Sequence, residues 1–134
     1  MSFDIFLICV RNGDAAMFER ALFEDIFRRN AIDPRSPLTS VTYRDGGAEI
    51  DGAEDGDEIE NIVFNHCGGD TFYAALYELA DRSGSVVLWP AAGRQIAVTR
   101  EAAIAHLPPD LSDLGPPYVV ANGRELAACI LVGE

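Results

Sequence analysis

The chain has 134 residues, 49% of them apolar and 24% charged, and its 22 acidic against 10 basic side chains give a formal net charge of −12. That length suits one domain, the apolar content excludes a disordered chain, and no run approaches the roughly 20 apolar residues of a membrane span. The negative charge repels nucleic acid phosphates and anionic membrane surfaces, so neither is expected as a partner.

Phe3–Val10 is an almost continuous apolar run ended by Asn12-Gly13, the pattern of a buried central strand. Asp14 is placed to cap a helix on which Phe18, Leu22 and Ile26 recur at i, i+4 and i+8, with Phe23 and Phe27 widening the stripe. Two prolines mark a connection over Asn30–Pro37. Leu38–Arg44 then alternates as a half-exposed strand, and Asp45-Gly46-Gly47 turns the chain back. Residues 49–60 are acidic and glycine-containing, as in an exposed arm or hairpin end. Asn61–Cys67 reads as a second apolar strand. Gly68-Gly69 leads into a helix from Asp70 to about Arg82, ended by Ser83-Gly84, and Val86–Trp89 is another buried strand.

To this point the order is β-α-β-β-α-β, which predicts an α+β fold: a ferredoxin-like, split β-α-β antiparallel sheet with two helices on one face. The remainder is expected to dock on that core (residues 1–90) as a helical extension (residues 91–134) of the same domain. It should contain a short strand at Gln95–Val98, a helix capped by Thr99 and stopped at Leu107-Pro108-Pro109, and a short strand at Val119-Val120. Asn122 with Glu125 forms a capping-box variant that opens a final helix to about Val132.

Chemistry-bearing residues are sparse. Asn65-His66-Cys67-Gly68-Gly69-Asp70 is the densest group, at a strand end running into a helix start. A nucleophilic Cys67 would need a histidine. Adjacent strand residues face opposite ways, so His66 is poorly placed and His106 would have to arrive from the tail. Gly68-Gly69 could cradle a phosphate, but the Walker lysine is missing and Asp70 would cap the same N–H groups and repel an anion. Trp89 and the nearby Arg94 could line a pocket. Tyr73 and Tyr77, one turn apart, could edge the core or a contact face.

Cys9, Cys67 and Cys129 are odd in number, far apart and never arranged as CxxC, so neither a disulfide framework nor a zinc site is expected. The stretch Asp51–Asp57 resembles a calcium loop, yet with Gly56 at the sixth position the twelfth falls on Ile62, where a bidentate Glu belongs. No metal and no cofactor are therefore expected. The N-terminal residues carry no basic n-region, and the short apolar stretch there is no signal-peptide core, which points to the cytoplasm.

Eight acids fall between residues 45 and 60 (Asp45, Glu49, Asp51, Glu54, Asp55, Asp57, Glu58 and Glu60) without one base. Such a run is either a solvated loop or a surface kept for a basic partner. All ten bases are arginine, which reads as the coding bias of a GC-rich bacterium. The opening Ser2-Phe3-Asp4-Ile5-Phe6-Leu7, the stretch Cys67-Gly68-Gly69-Asp70 with Ala75-Leu76-Tyr77-Glu78-Leu79, and His106-Leu107-Pro108-Pro109-Asp110 with Leu114-Gly115 resemble a group of small uncharacterised bacterial proteins. The opening also resembles some immunity proteins of bacterial toxin systems. The resemblance and the acidity imply a non-enzymatic binding protein of the bacterial cytosol, an immunity-type inhibitor of a basic protein. The alternatives are a small hydrolase or transferase using Cys67 or a histidine, with His66, Cys67, Asp70, Trp89 and His106 as pocket residues, and a structural homodimer module joined through open sheet edges.

Overall fold

The computed structural model describes residues 4–52, 56–90 and 95–132. In chain order the elements are β1 (Ile5–Arg11), β2 (Asp14–Ala15), β3 (Phe18–Glu19), α1 (Arg20–Arg28), β4 (Ser40–Tyr43), β5 (Gly46–Asp51), β6 (Glu58–Ile59), β7 (Asn61–Gly68), α2 (Asp70–Ser83) and β8 (Ser85–Leu88). After these come β9 (Ile96–Val98), two 3-10 turns over Glu101–His106 and Pro109–Leu114, β10 (Tyr118–Val119) and α3 (Gly123–Val132). The fold is α+β, with three α-helices among the described residues and a mostly antiparallel eight-stranded sheet. Seven strands run in the order β10-β9-β8-β1-β7-β5-β4, and β2 pairs on the side with β1.

β1 holds the centre. Its Phe6 and Ile8 pair with Val63 and Asn61 of β7 on one side and with Leu88 and Val86 of β8 on the other, both antiparallel. Strands β7 and β8 are therefore parallel to each other, joined through α2, with β1 between them. The other half departs from the expected four-strand order. β5 is inserted between β7 and β4, so β4 runs antiparallel to β1 instead of parallel to it. The reason is the period of Ala48-Glu49-Ile50-Asp51: Ala48 and Ile50 are buried while Glu49 and Asp51 are exposed. Alternation at period two makes a half-buried strand even where the exposed positions are all acidic. The expected acidic arm is thus, over its first part, a strand inside the sheet.

Two expected helix starts also move. Asn12 and Gly13 adopt φ of 54° and 83°, and Val10 and Arg11 pair with Ala15 and Asp14. Asn-Gly makes the tight turn of a hairpin that needs positive φ at both central residues. Asp14 consequently lies in β2 rather than capping a helix, Phe18 pairs with Ile59 in a separate two-stranded ribbon, and α1 begins only at Arg20. The segment after Thr99 forms 3-10 turns without a side-chain cap. Six residues ahead of Leu107-Pro108-Pro109 leave too little uninterrupted chain for a stable α-helix. Thr99 instead bonds Asp81, whose carboxyl Arg100 and then Thr99 hold below its usual range.

The helical side of the sheet carries the main core. Ile5, Leu7, Ile62, Phe64, Val41, Tyr43, Ile50 and Val87 point into it, and Phe23, Phe27, Phe72, Leu76 and Leu79 come down from α1 and α2. Phe64 is fully buried, with its ring centroid 5.4 Å from that of Phe27 and 5.4 Å from that of Phe72. The Tyr43 hydroxyl donates to the Phe27 carbonyl at 2.8 Å, tying β4 to α1. α3 adds Leu126 and Ile130 to the same core, and its first residue must be glycine, because a Cβ on Gly123 would sit 2.7 Å from the Ala74 backbone. The Asn122 carboxamide accepts from the Glu125 N–H, and the Glu125 carboxylate accepts from the Ala121 N–H, both at 2.9 Å. That is the reciprocal cap expected at this helix.

On the opposite side, the 3-10 turns lay Ala103, Leu107 and Leu111 over Val10, Val86 and Val98. This smaller layer covers only the β1-β8-β9 part of the sheet. Truncating Phe64 would leave a cavity where both helices meet the sheet. Phe64→Ala should lower the unfolding free energy by about 3–5 kcal/mol, measured by chemical denaturation.

Candidate functional site

The glycine pairs around α2 build its start from a distance. Gly46 packs so closely on Gly68 that a Cβ would lie 2.2 Å from its carbonyl oxygen, and a Cβ on Gly69 would meet the Asp45 carbonyl at 2.6 Å. This close approach lets the β4–β5 turn hand its Asp45 carboxylate to the Thr71 N–H at 3.0 Å. The Thr71 N–H, aided by the Thr71 hydroxyl and the Asp70 N–H, holds the Asp45 carboxyl below its usual range. Asp70 itself is exposed and no side chain caps from Gly69. The expected cap is therefore corrected: the donors at the α2 start are satisfied by a carboxylate from another turn, 26 residues upstream.

His66 and Cys67 lie in a bulge. Between Gly47/Gly68 and Glu49/Asn65 the register shifts, with one extra residue on β7, and His66 takes φ 51°. The bulge swings the imidazole into solvent, where Nδ1 lies 2.7 Å from the Glu49 carboxylate with both side chains about 60% exposed. Cys67 packs against the main core. Burial, reinforced by the charge of Asp4, pushes its thiol up to about 12, so the thiolate is scarce at neutral pH. His106 lies elsewhere: its Nδ1 accepts from the Asn12 N–H at 3.0 Å, and its carbonyl accepts from the Gly13 N–H. It therefore docks the 3-10 turns on the β1–β2 hairpin. Phe64, two residues before His66, pairs with Ile5 at the opposite end of β1, on the order of 20 Å away at strand rise. The geometry does not bring a histidine and Cys67 into one catalytic group.

Trp89 is buried and stacked on Tyr118, with ring centroids 6.1 Å apart; its indole nitrogen has no hydrogen-bond partner among the described residues. Tyr73 is also buried, and Tyr77 packs against the core edge. Shallow clefts open around the start of α2: one of about 360 Å³ takes in Asp70, Asn122 and Arg124, and one of about 550 Å³ takes in Arg29, Arg44 and Thr71. Neither contains His66, Cys67, Trp89 or His106. Among the described residues, no three metal-binding side chains gather in one place, and no helix is long and apolar enough to cross a membrane.

The acidic run is divided among separate places. Asp45 serves α2. Glu49 and Asp51 stand on the side of β5 turned away from the helices. Asp57 and Glu58 surround Arg20 with Glu19 and Glu24 in a cleft beside the start of α1, where the Arg20 N–H groups bond the Asp57 and Gly56 carbonyls. Glu60 is exposed between β6 and β7. Glu54, Asp55 and Arg94 fall outside the described residues, as do Ser2 and Phe3.

A feature that residue-by-residue reading missed is the charge segregation across the sheet. The outward positions of β1, β7, β5 and β4 include Phe6, Val63, Asn65, Glu49, Asp51 and Thr42. Among the described residues, Arg20, Arg28, Arg29, Arg82 and Arg124 belong to helices or their ends, while Arg11 and Arg44 stand at the ends of β1 and β4. Strand parity alone, applied to β5, is the signal that finds it.

Two measurements check this arrangement. A thiol reagent near neutral pH should label Cys67 more slowly than a free cysteine, and labelling faster than the free thiol would revive it as a nucleophile. In chemical denaturation, Asp45→Ala should lower the midpoint and Asp70→Ala should change it less. Because the folded-state carboxyl of Asp45 is held down, its contribution is complete above its unfolded pKa and fades as pH falls through the lower folded value. Acid titration below about pH 4 should therefore destabilise the parent more than Asp45→Ala. Comparison with family models, curated proteins and solved structures gives no match.

Proposed function

We propose that this chain is a non-enzymatic binding protein of the bacterial cytosol, an immunity-type inhibitor that covers a basic protein surface. The observation that carries this reading is the exposure of Asp51 and of Glu49, with His66 against it, on one face of the sheet in a chain of net charge −12. Such a face projects a negative field that speeds encounter with a basic protein and rejects acidic ones. The half-buried, high-pKa thiol of Cys67 and the distance between His66 and His106 weigh against the hydrolase alternative. A homodimer through the same face would oppose like carboxylates, and at the outer edge of β4 the Thr42 carbonyl already accepts from the Ile32 N–H. The β7-α2-β8 unit around β1 is, in this proposal, one half of a ferredoxin-like plan to which β5 has been added.

A basic protein encoded beside this chain would be the first candidate partner to test. Binding kinetics at low and high salt should show an on-rate that falls as salt rises, because exposed charges act over only about 8 Å at physiological ionic strength. Replacing Glu49, Asp51, Glu58 and Glu60 by their amides should lower the on-rate by about tenfold or more and leave folding intact. Equal, salt-independent on-rates for the parent and the neutralised chain would defeat the reading.

A further inference from the structure

The helices pack on one face of the sheet; among the described residues, the 3-10 turns cover only part of the other. The 3-10 turns seal Val10, Val86 and Val98. Beyond that layer, a line of paired residues crosses the sheet from Leu88 through Phe6 and Val63 to Asp51. Phe6 is 36% exposed, Val63 is half-buried and Asp51 is exposed. The next line, through Asn65 and Glu49 to Ser40, is polar. An apolar strip therefore lies along the rim of the covering layer, with carboxylates on its far side.

The dimensions select an occupant. Phe6 of β1, Val63 of β7 and Asp51 of β5 lie across two inter-strand spacings, roughly 10 Å, and an α-helix with its side chains is about 10–12 Å across. One helix fills the uncovered width beside the 3-10 turns. The charge is complementary to only one kind of helix, one with an apolar stripe over Phe6 and Val63 and lysine or arginine over Glu49 and Asp51. A second copy of this chain is the poorer occupant, since it would bring a second pair of these carboxylates against the first.

We propose that the part of the sheet left open by the described residues, centred on Phe6 and Val63 and flanked by Glu49 and Asp51, is the docking face for a basic amphipathic helix of a partner protein. This rests on the basic-partner reading and deepens it: the carboxylates steer, and the apolar strip holds.

Three labelled synthetic peptides test it by fluorescence anisotropy with the full chain. The first has leucines on one helical face and lysines on the other, the second is the same composition scrambled so that no apolar face forms, and the third carries glutamate in place of lysine. The patterned lysine peptide should bind at least about tenfold more tightly than the scrambled one. Phe6→Asn and, separately, Val63→Thr should remove that advantage, with circular dichroism and thermal melting confirming that each variant is folded. Glu49→Gln with Asp51→Asn should flatten the salt dependence, whereas Asp110→Asn with Asp113→Asn, on the 3-10 turns, should not.

Equal binding of patterned and scrambled lysine peptides, unaffected by Phe6→Asn and Val63→Thr, would overturn the docking face while leaving the basic-partner reading standing. Binding of none of the peptides would overturn the docking face, and binding of the glutamate peptide as tightly as the lysine one would overturn both. Sedimentation velocity of the parent should show a monomer; a dimer that Phe6→Asn dissociates would assign the face to a second copy instead.

Discussion

Phe64 is the point at which the molecule is assembled. Its ring meets Phe27 of α1 and Phe72 of α2, which also meet each other edge to face, so one side chain of a central strand touches both helices where they meet. Tyr73 continues the cluster at 5.1 Å from Phe72. Aromatic pairs of this kind add specificity to the area they bury. With both helices committed to one side, the described residues that cover the other side come from the chain beyond β8, and they pack over Val10, Val86 and Val98.

The continuous apolar runs were legible without the structure, since β1, β7 and β8 fall where they predict strands. The spacing of Phe72, Leu76 and Leu79 likewise placed α2, and the Asn122–Glu125 pair placed α3. What escaped was local geometry overridden by charge or by distance. Residues 46–51 look like a turn and an acidic arm because the exposed half of the alternation is acidic, yet Ala48 and Ile50 decide the matter. Asn12-Gly13 ends an apolar run, but it also makes a hairpin, and the two-residue β2 is too short for any periodicity. The Asp45 cap was not readable at all, because no local spacing reports a carboxylate that reaches α2 from the β4–β5 turn, 26 residues upstream.

The candidate site shows the same division. Cys67 and Trp89 are chemistry-bearing residue types engaged in packing, and His106 is engaged in docking one segment onto another. The carboxylates of residues 45–60, which form one block in the sequence, are distributed by the fold into a helix cap, an open sheet face and a cleft around Arg20. Among the described residues, only the pair on β5 shares a surface with exposed apolar side chains of the sheet. A charge run is thus a poor map of a charged surface when a strand passes through it, because alternate residues turn away and the bends between elements aim the rest elsewhere.

The central position of β1 has a consequence for synthesis. It is the first strand of the sheet to leave the ribosome, but its neighbours are β7 and β8, about fifty residues or more later in the chain. Until residue 68 has emerged both edges of this apolar strand are without their long-range partners, and until residue 88 one edge still is. Strand pairings this far apart carry a large loop-closure cost and form slowly, and bare edges invite pairing with other chains. The nearby Asn12-Gly13 hairpin is the sheet contact β1 can make at once, and it shields only the last two residues of the strand. The nascent chain is therefore most vulnerable over Ile5–Cys9, a segment whose two edges are both paired in the finished molecule.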